Sequence, residues 1–116
     1  MTIRLWLDDI RPIPQSTKYW LHAKSVNEAK VAVEKFFEIK ETVGDFEGHD
    51  TWTLILDLDH DLGKYAKDGG DAIKLLDWIE AEGINTTDIV FKIHTANPVG
   101  RQNMLQVIRK NKWREY

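Results

Sequence analysis

The chain has 116 residues, of which 42% are hydrophobic and 30% charged, as in a single globular domain spanning residues 1–116. It contains no cysteine, which excludes a disulfide framework, a thiolate zinc site and a thiol nucleophile. The formal net charge of −3 does not favour a duplex DNA partner. Neither a signal peptide nor a run of about 20 apolar residues is visible, so we expect a cytoplasmic protein without a membrane partner.

Strands and helices alternate along the predicted chain. Apolar segments predict strands at 3–8, 19–24, 52–58 and 88–94. Ser25 and Glu28 have capping-box spacing at the start of a helix predicted over 25–40. Two more helices are predicted, over about 71–82 and from Asn97-Pro98 to about 112, and loops over 41–50 and 63–70. Gly83 is expected to end the second of the three helices.

The order of these elements predicts the fold class. Pro12 and Pro14 forbid a regular helix between the first two strands, whereas each later connection contains one. The pattern is typical of an α/β domain with a mostly parallel sheet of four strands, covered by helices in three layers. Ligands of such sheets bind at the carboxyl ends of the strands.

Polar clusters follow three of the four predicted strands. Asp8-Asp9 end the first strand, Asp59-His60-Asp61 the third and His94-Thr95-Ala96-Asn97 the fourth. Because the carboxyl ends of parallel strands share one edge, these clusters are expected to converge there.

The converging carboxylates predict a site for Mg²⁺ or Mn²⁺. Asp8, Asp9 and Asp59 repel one another unless a hard cation with oxygen ligands lies between them. The alternative is that some of them are solvated strand ends or helix caps. Asp61 could ligate the metal, orient His60 or cap the turn, and Asp57 could support the site or bind a neighbouring loop.

His60 and His94 are candidate catalytic residues at the same edge. An imidazole suits both general base and general acid, and opening a cyclic phosphodiester requires one of each. The alternative is that each histidine hydrogen-bonds a carbonyl or an aspartate. His22 and His49 belong to no such cluster and are expected to be structural or exposed.

Candidate phosphate contacts are basic or polar residues near this edge. The guanidinium of arginine matches phosphate oxygens, and the start of the last helix offers free N–H groups. The alternatives are an ion pair of Arg11 with Asp8 or Asp9, and a purely capping role for Asn97. The four candidates are Arg11, Thr95, Asn97 and Arg101. Four of the tryptophans are expected in the core (Trp6, Trp20, Trp52 and Trp78), whereas Trp113 is left open.

The three strand ends resemble the receiver domain of bacterial two-component signalling. Asp8-Asp9 match the receiver's acidic pair, Asp59 its phospho-accepting aspartate, and Thr95-Ala96 its signature after strand four. The first receiver helix is missing or vestigial here, and the chain ends where the fifth strand and its lysine are expected. The resemblance implies a truncated, flavodoxin-like sheet in the order 2-1-3-4.

A closer resemblance is to the cyclic-phosphate-processing receiver-like domains, divergent relatives of those receivers. Its motifs stand here as "LDDIRP" (7–12), "LDHDLG" (58–63) and "HTANPVGRQNM" (94–104). The resemblance implies a metal-dependent hydrolase, or a binder, of cyclic phosphates on nucleotides or RNA ends. Its ligand would be a small phosphorylated molecule, with Asp59 as metal ligand or nucleophile.

Two alternatives belong to other functional classes. The first is a non-catalytic signalling module that is phosphorylated at Asp59 or senses phosphate near it. The second is a protein that sequesters a nucleotide messenger, in which binding survives alanine at both histidines.

Overall fold

The protein is a parallel sheet with three helices, which a computed structural model describes over residues 1–14, 20–43 and 52–116. The strands are β1 (Thr2–Leu7), β2 (Trp20–Ala23), β3 (Thr53–Leu58), β4 (Ile89–Ile93) and β5 (Arg114–Glu115). The helices are α1 (Val26–Val43), α2 (Ile73–Ala81) and α3 (Pro98–Lys110), and a short 3-10 helix covers Gly63–Lys67.

The sheet confirms the predicted receiver-like α/β fold and adds one strand to it. Its order is β2-β1-β3-β4-β5, with every neighbouring pair parallel. The sequence predicts four of these five strands. The fifth, β5, has only two residues, which pair with Val90 and Phe91. Two residues are too short to show strand periodicity in a sequence. Trp113, just before β5, stacks on Phe91 with ring centroids 4.9 Å apart.

Several element boundaries differ from the predicted ones. Helix α1 runs to Val43, so the start of the predicted loop over 41–50 is helical. Part of the predicted loop over 63–70 forms the 3-10 helix. Tyr19 of the second predicted strand, His49 and the rest of the loop to residue 50 lie outside the described residues.

The predicted capping residues of the helices are confirmed. The Ser25 hydroxyl accepts a hydrogen bond from the Glu28 amide at 3.1 Å, as in a capping box. Gly83 has a φ of 61° after α2, the left-handed conformation favoured at this position. At α3, Asn97 Oδ1 accepts from the Gly100 amide at 3.0 Å.

All three helices lie on one face of the sheet, so the helical layer predicted for the other face is absent from the described residues. One buried cluster joins the alternate residues Leu5, Leu56 and Phe91 to Phe36 of α1, Ile79 of α2 and, in α3, Met104. The connections through α1, α2 and α3 all cross the sheet in one direction, and right-handed crossovers then place them on one face. Only the connection from β1 to β2 runs the other way, and it contains the two prolines.

The opposite face, here called the helix-free face, carries no helix in the described residues. Ile55 and Val90 lie there, outside the core cluster, but are only 5% and 8% exposed. The strand register assigns to this face Thr2, Arg4, Trp6, Trp20, His22, Thr53, Ile55, Asp57, Val90, Lys92 and Arg114, and Tyr116 continues it. No helix in the described residues is both long and apolar enough to cross a bilayer.

Candidate functional site

The three polar strand ends meet at the carboxyl edge of the sheet, as the sequence predicts. Leu7, Leu58 and Ile93 are in register, so the residues that follow them are neighbours. A cavity of about 280 Å³ opens there. We call it the acid cavity. It is lined by Asp8, Asp9, Ile10, Arg11, Asp59, Asp61, Gly63, Thr95, Ala96 and Asn97.

Three carboxylates of this cavity form a candidate metal centre. Asp8, Asp9 and Asp59 each present one oxygen, and these oxygens lie within 4.8 Å of one another. Asp8 is buried, with 1% of its surface exposed, and the other two are half-buried. This is the set of three that the sequence predicts as ligands. Oxygen donors at this spacing suit a hard divalent cation such as Mg²⁺.

Gly63 allows Asp9 to reach this cluster. Its φ is 54°, a left-handed conformation, and a Cβ atom built there would lie 2.6 Å from Asp9 Oδ2. A side chain at this position would therefore displace the Asp9 carboxylate.

The Asp8 carboxylate is fixed by the loop that follows β1. Its Oδ1 accepts hydrogen bonds from the backbone amides of Ile10 at 2.9 Å and Arg11 at 2.8 Å. Burial raises the pKa of Asp8, but the amides of Arg11 and Ile10, together with His94, lower it more, to below its ordinary value of 3.8. The carboxylate is therefore ionised at neutral pH.

His94 lies between two carboxylates rather than in the cavity lining. Its Nδ1 is 2.7 Å from Asp57 Oδ1 and its Nε2 is 2.9 Å from Asp8 Oδ2. The ring stacks on Trp6 with centroids 3.9 Å apart. Both ring nitrogens are thus within hydrogen-bond distance of a carboxylate, which is the alternative that the sequence analysis gave for this histidine.

The sequence leaves open whether Asp57 supports the site or binds a neighbouring loop, and in the structure its carboxylate contacts His94. The stacking of His94 on Trp6 is not predicted from the sequence. Asp57 is 3% exposed and lies within β3, two residues before Asp59. Strand alternation could have predicted these contacts. Trp6, Asp57 and Lys92 are register partners on one face of the sheet, and Asp8 and His94 follow Trp6 and Lys92 by two residues.

His60 forms a second cluster with Asp61 and Asp71. Its Nδ1 is 2.9 Å from Asp61 Oδ1, and Asn97 Nδ2 donates to Asp61 Oδ2 at 3.1 Å. The hydrogen bond from His60 lowers the pKa of Asp61, although burial opposes this and Asn97 assists it. Asp61 lines the acid cavity, but it is grouped with His60 and not with the three carboxylates of the metal centre.

The predicted phosphate contacts divide into two groups. Arg11 lines the cavity, with its Nη1 3.6 Å from Asp8 Oδ2 and donating to the His94 carbonyl at 3.1 Å. Thr95 and Asn97 also line it, and the Thr95 hydroxyl accepts from the Asn97 amide at 3.1 Å. Arg101 does not, because its guanidinium donates to the Thr95 carbonyl at 3.3 Å and lines a separate cavity beside β4 and β5.

The other predicted histidine and tryptophans have structural positions. His22 is exposed, and its Nε2 donates to the Asp8 carbonyl at 2.9 Å. Trp52 and Trp78 are partly buried against the core cluster, in agreement with the prediction. Trp6 is buried, as predicted, and contacts the half-buried Trp20 on the helix-free face, with ring centroids 5.7 Å apart.

A comparison with protein families gives one finding for this chain. The family model described as the cyclic-phosphate processing receiver domain matches residues 3–110, which include all three strand ends of the acid cavity. The search of curated proteins gave no match, and the search of solved structures gave none either.

Proposed function

Because the chain belongs to the family of cyclic-phosphate processing receiver domains, we propose that it hydrolyses cyclic phosphodiesters with the help of Mg²⁺ or Mn²⁺. The observation that carries this proposal is the meeting of Asp8, Asp9 and Asp59 in the acid cavity, with one oxygen of each within 4.8 Å of the others. These residues fit a divalent cation because all three donors are carboxylate oxygens. The bound cation would neutralise charge on a phosphoryl oxygen.

The phosphate would be held next to the metal centre, by Arg11 and by the start of α3. The side chain of Arg11 is 47% exposed at the cavity, and a guanidinium has N–H groups besides the one that Nη1 donates to the His94 carbonyl, so it can also donate to a phosphate oxygen. Asn97 and the first turn of α3 add the positive end of a helix dipole. Arg101 is given no role in this site, since it lines another cavity.

We assign proton transfer to the pair of His60 and Asp61. Asp61 lines the cavity, and its side chain is 59% exposed and held by His60 and Asn97. The hydrogen bond from His60 lowers its pKa, so it is ionised at neutral pH and presents a carboxylate to the attacking water, and the pair takes up the proton of that water. The new P–O bond forms as the bond to the ribose oxygen breaks, and the pair returns the proton to that oxygen.

His94 has a different role in this proposal. It keeps Asp8 oriented through its Nε2, while Asp57 holds its Nδ1. Such a supporting pair behind a ligand is a common arrangement at metal sites. His94 is therefore a positioning residue, and its loss would act on the metal centre through Asp8.

The test is phosphorus NMR on 2′,3′- and 3′,5′-cyclic nucleotides with the protein and Mg²⁺ or Mn²⁺. We expect a cyclic phosphate resonance to be replaced by that of a monoester, and EDTA or Asp59→Asn to prevent it. Asp77→Asn is the matched control, because Asp77 is 51% exposed on α2 and remote from the cavity lining.

Two other outcomes would overturn the hydrolase proposal. If no cyclic phosphate opens but acetyl phosphate modifies Asp59, the protein is a phosphorylated signalling module. If a nucleotide binds without turnover, and binding persists with alanine at both His60 and His94, the protein sequesters its ligand.

A further inference from the structure

The helix-free face carries a local excess of positive charge. Arg4, Lys92 and Arg114 lie on it, although the whole chain has a net charge of −3. Among the described residues of this face, the one acidic side chain is Asp57, which is buried and bound to His94. A polyanion would therefore meet favourable charge on this face, although the chain as a whole is acidic.

Aromatic rings alternate with these cations across the sheet. The Arg4 guanidinium carbon is 5.7 Å from the Trp20 ring centroid and 5.8 Å from that of Tyr116. Lys92 Nζ is 4.6 Å from the same Tyr116 centroid. Tyr116 is 65% exposed. Rings and cations together on an open sheet are the combination by which proteins bind single-stranded nucleic acid, since bases stack and phosphates pair with charge.

The face is continuous with the acid cavity. Asp8 and His94 follow Trp6 and Lys92 by two residues, so they lie at the cavity end of the same rows. Arg11 lines the cavity and donates to the His94 carbonyl, which extends the positive charge from the face to the site.

We propose that the helix-free face binds single-stranded nucleic acid and directs the terminal phosphate of the strand into the acid cavity. The part that concerns the terminal phosphate rests on the function proposed above. The binding surface itself does not, because its charges and rings are independent of the reaction. Its contacts are Arg4, Trp20, Lys92, Arg114 and Tyr116.

Fluorescence anisotropy of a labelled single-stranded RNA of about ten nucleotides, a length in the range of known single-strand sites, tests the surface. The RNA ends in a 3′-hydroxyl, so that binding does not depend on the reaction. Three cations predict a slope of about −2 in a plot of log K against log salt, and Lys92→Gln should reduce it to about −1.4. Tyr116→Ala should weaken binding about 5- to 150-fold through lost stacking.

Lys35→Gln is the matched control, since Lys35 is 60% exposed but lies on α1, on the other side of the sheet. The proposal is overturned if the RNA does not bind at low salt, or if Lys35→Gln and Lys92→Gln weaken binding equally. It is also overturned if the face joins two copies of the chain, with Tyr116→Ala dissociating a dimer in sedimentation.

The same variants separate this proposal from the hydrolase proposal. If both hold, Lys92→Gln lowers kcat/KM for an RNA that ends in a cyclic phosphate and leaves that for a cyclic mononucleotide unchanged. RNA binding without any opening of cyclic phosphates rejects only the hydrolase. Opening of mononucleotides without RNA binding rejects only the surface.

Discussion

The imidazole of His94 bridges two buried carboxylates, with Nδ1 2.7 Å from Asp57 and Nε2 2.9 Å from Asp8. Both contacts join a ring nitrogen to a carboxylate oxygen at hydrogen-bond distance, so one side chain engages the two carboxylates together. The bridge joins the residues that follow β1 and β4 to the second-last residue of β3. It therefore couples the stability of the sheet to the geometry of Asp8, a predicted metal ligand.

Replacing His94 with alanine should cost about 3–5 kcal/mol of unfolding free energy, because it leaves two buried carboxylates without their partner. Urea unfolding without metal measures this loss. His22→Ala is the matched control, since His22 is exposed and makes one hydrogen bond to the Asp8 carbonyl. That variant should cost about 1 kcal/mol. Equal losses in the two variants would show that the bridge is not important for stability.

Replacing Asp59 with asparagine should have opposite effects on metal binding and on stability. Asparagine can still accept the hydrogen bond that the His60 amide donates to Asp59 Oδ1. It removes one of three mutually repelling charges, so the metal-free protein should become more stable. Mg²⁺ affinity, measured by titration calorimetry, should fall at least about tenfold. An unchanged affinity would exclude Asp59 from the metal centre.

Gly63→Ala should damage the metal centre, whereas Gly83→Ala should not. Both glycines have similar positive φ angles, 54° and 61°, so alanine incurs a similar backbone cost of about 1–2 kcal/mol at each. A Cβ at Gly63 meets Asp9 Oδ2 at 2.6 Å, but at Gly83 it meets nothing within 4 Å. The difference in Mg²⁺ affinity between the variants thus reports the position of Asp9. Equal affinities would contradict that assignment.

Gly100→Ala should destabilise the protein, although alanine normally stabilises a helix by about 1 kcal/mol relative to glycine. A Cβ at this position of α3 would lie 2.5 Å from Cγ of His60. Such overpacking costs about 1–3 kcal/mol and should shift the ring resonances of His60. Gln102→Ala on the exposed side of α3 is the control, with an effect within about 0.5 kcal/mol. A more stable Gly100→Ala protein with unshifted His60 signals would refute the contact.

The stability due to Asp8 should disappear in acid. Its pKa in the folded protein is below the ordinary value of 3.8, so the ionised form stabilises the fold at neutral pH. This contribution is complete above 3.8 and is lost as the pH falls through the folded-state pKa. Urea midpoints of the natural protein and Asp8→Asn, measured from about pH 7 downwards, should therefore converge below about pH 3.8. A constant difference would contradict the lowered pKa.

Most of the fold and the meeting of the site residues follow from the sequence. Apolar runs that end in Asp8-Asp9, Asp59 and His94 identify three parallel strands, and parallel strands present their carboxyl ends together. The predicted order 2-1-3-4 already implies that all helices after β2 share a face, by the handedness of crossovers. The expectation of three layers did not use that rule. Strand β5 is too short to give a periodic signal.

Local and periodic features could be predicted from the sequence alone: the strand ends, the capping of α3 by Asn97, and the carboxylates that could bind a metal. The pairing of side chains that are distant in sequence depends on the tertiary structure. His94 bonds to Asp57 and Asp8, which are 37 and 86 residues away, and Arg101 turns away from the cavity. Such choices depend on rotamers, burial and competition among partners within a few ångströms, and no spacing along a chain encodes these quantities.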